Sequence, residues 1–131
     1  MIVRGQSMEP AFSDDSIVRV NQFAYLLRRP TRGDVVAVRS PEASDRVELK
    51  RIIGLPGETV CWVGSGGVEI DGRPLPEPYA RMSTAVPGDE ERSERLLDPG
   101  AYFVMGDHRL YSRDSRHYGP ILRSAILGKV S

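Results

Sequence analysis

The stretch VELKRIIGLPGETVCWVGSGGVEIDG, residues 47–72, decides the fold class. Val47-Glu48-Leu49-Lys50-Arg51-Ile52-Ile53 has the composition of a strand. Gly54-Leu55-Pro56-Gly57 stops it, because a proline between two glycines neither donates to a ladder nor continues a helix. Thr59-Val60-Cys61-Trp62-Val63 reads as a second strand and Gly64-Ser65-Gly66-Gly67 as a hairpin connection. Val68-Glu69-Ile70 returns, and Asp71-Gly72 is a tight-turn signal. Strand and turn alternate at a spacing too short for helices.

The same rhythm extends outward. Ser13-Asp14-Asp15 leads into Ser16-Ile17-Val18-Arg19-Val20, read as a short strand. Val35-Val36-Ala37-Val38-Arg39 is a nearly continuous apolar strand entered through the turn at Thr31-Arg32-Gly33-Asp34. Ala101-Tyr102-Phe103-Val104-Met105 and Ile126-Leu127-Gly128-Lys129-Val130 are further strands. Residues 75–100 carry prolines and many Glu and Arg without a period, and read as a long loop or small excursion. Phe23-Ala24-Tyr25-Leu26-Leu27, followed by Arg28 and Arg29, reads first as a core-facing strand or helical turn; its second reading is a lipid-facing lip with basic flanks. No long helix and no internal repeat are predicted. The expected fold is all-β, a curled antiparallel sheet or partly open barrel, formed by residues 1–131 as one domain.

Composition narrows the function. The 131 residues suit one domain with a real core. Eighteen basic and eighteen acidic residues cancel, which argues against a general nucleic-acid binder. Cys61 has no second cysteine to pair with, and with His108 and His117 it makes a poor zinc set. No cofactor or metal is expected. No apolar run approaches bilayer-crossing length and no signal peptide precedes residue 3, so the chain as it stands reads as soluble.

Three stretches carry candidate chemistry. Val3-Arg4-Gly5-Gln6-Ser7-Met8-Glu9-Pro10 presents Ser7 at a bend, between a glycine that permits a tight turn and a proline that ends extended structure. Lys50 lies inside an apolar strand. It shares one face with Glu48 and Ile52, while Leu49, Arg51 and Ile53 share the other. Taken alone it reads as an edge-strand lysine in solvent. Held in an apolar site, a lysine is disfavoured as an ammonium, and the neutral amine can take a serine's proton. The third stretch is Gly106-Asp107-His108-Arg109-Leu110-Tyr111-Ser112-Arg113-Asp114-Ser115-Arg116-His117-Tyr118-Gly119. Asp114 and Arg116 stand two apart, so in an extended segment they share a face and could pair, as could Asp107 and Arg109; the alternative is a solvated loop whose surface ion pairs are worth little. His108 and His117 have no orienting partner by spacing and are read as structural or incidental.

These stretches together resemble the signature boxes of type I signal peptidases. Ser7-Met8-Glu9-Pro10, Arg32-Gly33-Asp34-Val35-Val36, Lys50-Arg51-Ile52-Ile53-Gly54-Leu55-Pro56-Gly57-Glu58 and the 106–119 stretch occur in the family's order, and the match spans nearly the whole chain. The resemblance implies a membrane-associated serine endopeptidase that removes signal peptides from exported preproteins at the extracytoplasmic face of the cell membrane. Its partners are then signal peptides and a membrane surface, with no nucleic acid, metal or cofactor.

Carried over by position, Ser7 is the nucleophile and Lys50 the general base. Ser112 hydrogen-bonds and orients the lysine, Asp114 and Arg116 form a supporting salt bridge, and Asp107 and Arg109 shape the same loop. Met8 and Leu49 wall the cleft, and Val3-Arg4-Gly5 pairs with an extended substrate that carries small residues at the first and third positions before the cut. The Ser7 N–H is one oxyanion donor. Where some members carry a serine as second donor, Gly5 stands here, and where an asparagine is common, His108 stands.

Two other readings fit the residues. One is a dedicated maturation protease for a single leader-bearing protein. The other is a non-catalytic β domain that binds peptide strands, against which the joint presence of Ser7, Lys50 and Ser112 argues. A self-cleaving repressor would need a cleavage site and a DNA-binding domain before its serine.

Overall fold

The computed structural model describes residues 1–82 and 91–131. Its strands are β1 (Val20–Asn21), β2 (Val35–Arg39), β3 (Val47–Gly54), β4 (Thr59–Val63), β5 (Val68–Ile70), β6 (Arg73–Pro74), β7 (Arg92–Leu96), β8 (Ala101–Met105), β9 (Ile121–Leu122) and β10 (Ile126–Val130). They form a six-stranded sheet in the order β1-β10-β2-β3-β8-β9 and a four-stranded sheet in the order β6-β5-β4-β7. All pairings within the two sheets are antiparallel, and neither sheet closes on itself. Among the described residues, helix is confined to α1 (Ser115–Tyr118) and two short 3-10 turns.

The continuous apolar runs are explained by burial on both faces. Val36, Val38, Ile52 and Val104 join Tyr25, Tyr102, Ile121 and Ile126 in one core cluster. Val35, Ala37 and Leu49 turn the other way and pack with Val3, Met8, Val18 and Val130. Ile53, Phe103 and Met105 meet Val60, Val68 and Leu97, joining the two sheets. Strand β8 is buried at every position, so it shows no alternation in sequence. Strand β3 is the hinge of the layout. Its first five residues pair with β2, and only from Arg51 onward does β8 join it. Asp71 and Gly72 both have positive φ (50° and 82°), as a type I′ hairpin between β5 and β6 requires.

Three expectations change. The strand expected over residues 16–20 is an extended segment that switches partners. Val3 N donates to Ser16 O and Val18 N to Met1 O, whereas Arg19 N donates to Ser131 O. Neither ladder runs far, so only Val20–Asn21 remains a regular strand. The Phe23–Leu27 patch does not face the core as a unit. It is a turn that buries Tyr25, whose hydroxyl donates to Asp34 Oδ2 at 2.7 Å, and leaves Phe23, Leu26 and Leu27 exposed. The 75–100 stretch is not all loop, because β7 crosses it and pairs with β4 along five residues. Residues 83–90 of that stretch lie outside the described residues.

Candidate active site

The N-terminal segment reaches the sheet because Val3 and Met8 are buried against Leu49. Between those anchors the chain turns. Gly5 has φ of 87° and its N–H donates to Asp14 Oδ1. The turn brings Ser7 to the flank of β3, where Ser7 O accepts from His108 N at 2.8 Å. Gly106 lets this happen. A Cβ there would lie 2.2 Å from Ser112 Oγ and 2.6 Å from Ser7 O, so no larger residue fits between the serine loop and the 106–119 segment.

Lys50 projects from the middle of β3 and is 2% exposed. The solvated edge lysine read from the strand alone is therefore not what forms. Its Nζ lies 3.3 Å from Ser7 Oγ, close enough for proton transfer after small adjustment. It also lies 3.4 Å from Glu48 Oε2. Beside this pair is a cleft of about 440 Å³ walled by Val3, Gly5, Met8, Val47 and Leu49, with Arg4, Arg46 and Glu48 among its lining residues. Ser7 lines the cleft, and the three expected substrate contacts Val3, Met8 and Leu49 are all in its wall.

The 106–119 segment forms a polar floor. Asp114 is fully buried and pairs with Arg116 through Nε at 2.9 Å and Nη2 at 3.0 Å. The same carboxylate accepts from Ser112 Oγ at 2.7 Å and from Gly106 N at 3.0 Å. Burial disfavours its charged form, but the Arg116, Ser112 and Gly106 donors outweigh that and hold its pKa below the usual carboxylate range. Asp114 also caps α1, and its own N–H donates to His117 Nδ1. His117 is thus a structural acceptor, and His108 packs edge-on against Tyr111.

Two contacts differ from expectation. Ser112 makes no hydrogen bond to Lys50, since its hydroxyl is directed at Asp114. Asp107 and Arg109 do not pair with each other. Asp107 is gripped by Arg51 through two bonds of 2.8 and 2.7 Å, while Arg109 pairs with Glu77 and donates to Gly66 O at 2.5 Å. Sequence spacing sees only local partners, and both true partners are remote. Arg51 also stacks over Tyr79 at 4.1 Å, so the excursion sheet's exit strap braces the floor. Glu77, Gly66 and Glu48 were not singled out in sequence. For Glu48 a signal existed, because its place two residues before Lys50 on β3 puts both on one face.

The comparisons with known proteins point to one family. The family model described as "Signal peptidase, peptidase S26" matches residues 1–131. The chain is 34% identical over 139 residues to signal peptidase I V of Bacillus subtilis, covering 98% of this chain and 81% of that protein. It is 32% identical to signal peptidase I of Bacillus caldolyticus, covering 98% and 75% respectively. Among solved structures, a signal peptidase I from Enterococcus faecalis superposes with a TM-score of 0.65 at 31% identity, over 79% of this chain and 98% of that one.

Proposed function

The chain belongs to the signal peptidase family, peptidase S26, and from that premise we propose that it cuts leader peptides with Ser7 as nucleophile and Lys50 as general base. A serine endopeptidase that removes signal peptides is what the family supports. The observation that carries the residue assignment is the buried Lys50 amine 3.3 Å from the Ser7 hydroxyl at the edge of a cleft.

In this reading neutral Lys50 takes the Ser7 proton as Oγ attacks the scissile carbonyl. The developing oxyanion is met by the Ser7 N–H, which donates to nothing else among the described residues. Lys50 then gives its proton to the leaving amine. A water activated by the same amine hydrolyses the acyl ester, releases the leader and restores Ser7. Ser112, Asp114 and Arg116 act as positioning residues. They fix Gly106, and through Gly106 and His108 N they fix the serine loop. The leader lies extended along β3, whose residues before Arg51 are not covered by β8. Val3, Met8 and Leu49 leave room for small side chains at the first and third positions before the cut.

The site works at a membrane surface in this proposal, on the extracytoplasmic face. Among the described residues no helix is long and apolar enough to cross a bilayer. Phe23, Leu26 and Leu27 are exposed beside Arg28 and Arg29, which suits an interfacial contact. The proposed function is tested with synthetic leaders carrying an Ala-x-Ala site, with and without lipid vesicles, the products being mapped by mass. Cleavage after the second alanine, lost when either alanine is made Trp, is expected. Absence of cleavage by the folded chain under every condition contradicts it. Equal cleavage of several unrelated leaders separates a general peptidase from a dedicated one.

A further inference from the structure

The charges around the catalytic pair are not balanced alike. Asp107 is held by Arg51, Asp114 by Arg116, Glu77 by Arg109 and Glu42 by Arg113. Glu48 differs. Its one ion pair among the described residues is with Lys50, at 3.4 Å. The strand dictates the contact, since the two side chains leave the same face of β3, opposite Val38 and Val36. Aliphatic neighbours thus screen the pair from one side, while Glu48 itself keeps 23% of its side chain exposed and lines the cleft.

The Lys50 amine is shared between two oxygens with opposite demands. Ser7 Oγ at 3.3 Å needs a neutral amine that can accept its proton. The Glu48 carboxylate at 3.4 Å favours the ammonium. We propose that Glu48 is a positioning residue that sets the pH at which Lys50 becomes available as a base, keeping the amine protonated and Ser7 unactivated as the pH falls. The proposal rests on the Ser7–Lys50 assignment above and goes beyond it by naming a control on that pair.

Arg4 and Arg46 line the same cleft, and among the described residues Glu48 is the one carboxylate that pairs with Lys50. On the 106–119 segment, Asp114 is saturated by Arg116, Ser112 and Gly106. Burial, together with the Glu48, Asp114 and Glu42 carboxylates, raises the Tyr118 phenol so that it stays neutral. His117 Nδ1 is occupied by Asp114 N. On the 40–46 loop, Glu42 is turned to Arg113.

The chain has only two lysines, Lys50 and Lys129, so lysine-labelled carbon NMR reads each directly. Lys129 pairs with Asp34, the loop residue just before β2, and serves as an internal control. In Glu48→Gln the Lys50 signal is expected to move to lower pH than in the parent, with Lys129 unmoved. The acidic limb of kcat/KM against pH should move the same way, raising the rate several-fold on that limb. Glu48→Asp keeps the charge on a shorter stem and should shift Lys50 less; it also serves if the glutamine variant fails to fold. An unmoved or upward-moving Lys50 signal in a folded Glu48→Gln overturns the proposal. A shifted Lys50 signal with an unmoved acidic limb upholds the Glu48–Lys50 coupling and removes Lys50 as the base, so the two failures are distinct.

Discussion

Arginine–carboxylate pairs occur in two regions of this molecule, and their consequences are opposite. Under the cleft, Arg51–Asp107, Arg116–Asp114 and Arg109–Glu77 are almost wholly shielded from water. On the solvent-facing periphery of the molecule, its rim, Arg4–Asp15, Arg92–Glu69 and Arg113–Glu42 stand largely in water. The chemistry is the same in both. What differs is the cost of losing one partner. On the rim, water and salt replace it at little cost. Under the cleft the remaining charge is stranded in a poorly polarisable interior. The floor therefore acts as a rigid base for the serine loop, because Asp114 accepts from the Gly106 N–H while Arg51, Arg109 and Arg116 donate to backbone carbonyls as well as to their carboxylates.

The largest stability effect is expected from Asp107→Ala, which strands Arg51 beneath the cleft. A loss of about 3–5 kcal/mol in denaturant unfolding is predicted; a loss near that of an ordinary surface substitution would erase the distinction between floor and rim. Next is Gly106→Ala. The added methyl collides with Ser112 Oγ and Ser7 O. Strain of about 1–3 kcal/mol is expected, with activity falling more steeply than stability because the serine loop must move. Unchanged turnover in that variant would mean that the loop is not held through Gly106.

Acid sharpens the same contrast. The Arg116, Ser112 and Gly106 donors, working against burial, depress the Asp114 pKa in the folded chain relative to the unfolded one. Its stabilisation is therefore complete above the ordinary carboxylate range and is lost as pH falls through the folded value. Glu58 follows the same sign, with Arg32 as the main cause. Thermal melts from pH 7 downward should show the parent losing stability more steeply than Asp114→Asn. Parallel curves would show that Asp114 does not carry this acid sensitivity. The smallest effect is Arg113→Ala, which should leave the melting temperature and turnover unchanged despite a well-formed ion pair with Glu42 at 2.7 Å.

How much was legible in the sequence follows from the same physics. Strands β2, β4, β8 and β10 were readable because apolar runs between turn residues have few other outcomes. Strand β7 was not, because Arg92-Ser93-Glu94-Arg95-Leu96 is exposed along its whole length and carries no burial pattern. Phe23-Ala24-Tyr25-Leu26-Leu27 looked like core, yet a tight turn directs only Tyr25 firmly inward. Ser7 and Lys50 were found through motif order, and the structure brings them together across 43 residues of chain. The partners of Asp107 and Arg109 were missed because i, i+2 spacing proposes neighbours, whereas the real contacts come from β3 and from the strap at Glu77.

The most direct test of the account is kcat/KM for one leader peptide with the parent, Ser7→Ala and Lys50→Ala, each checked for folding. The account predicts that both variants lose at least about a thousand-fold, and that the double variant loses little more, since the two residues act as one unit. Substantial turnover by a folded Ser7→Ala or Lys50→Ala would contradict it.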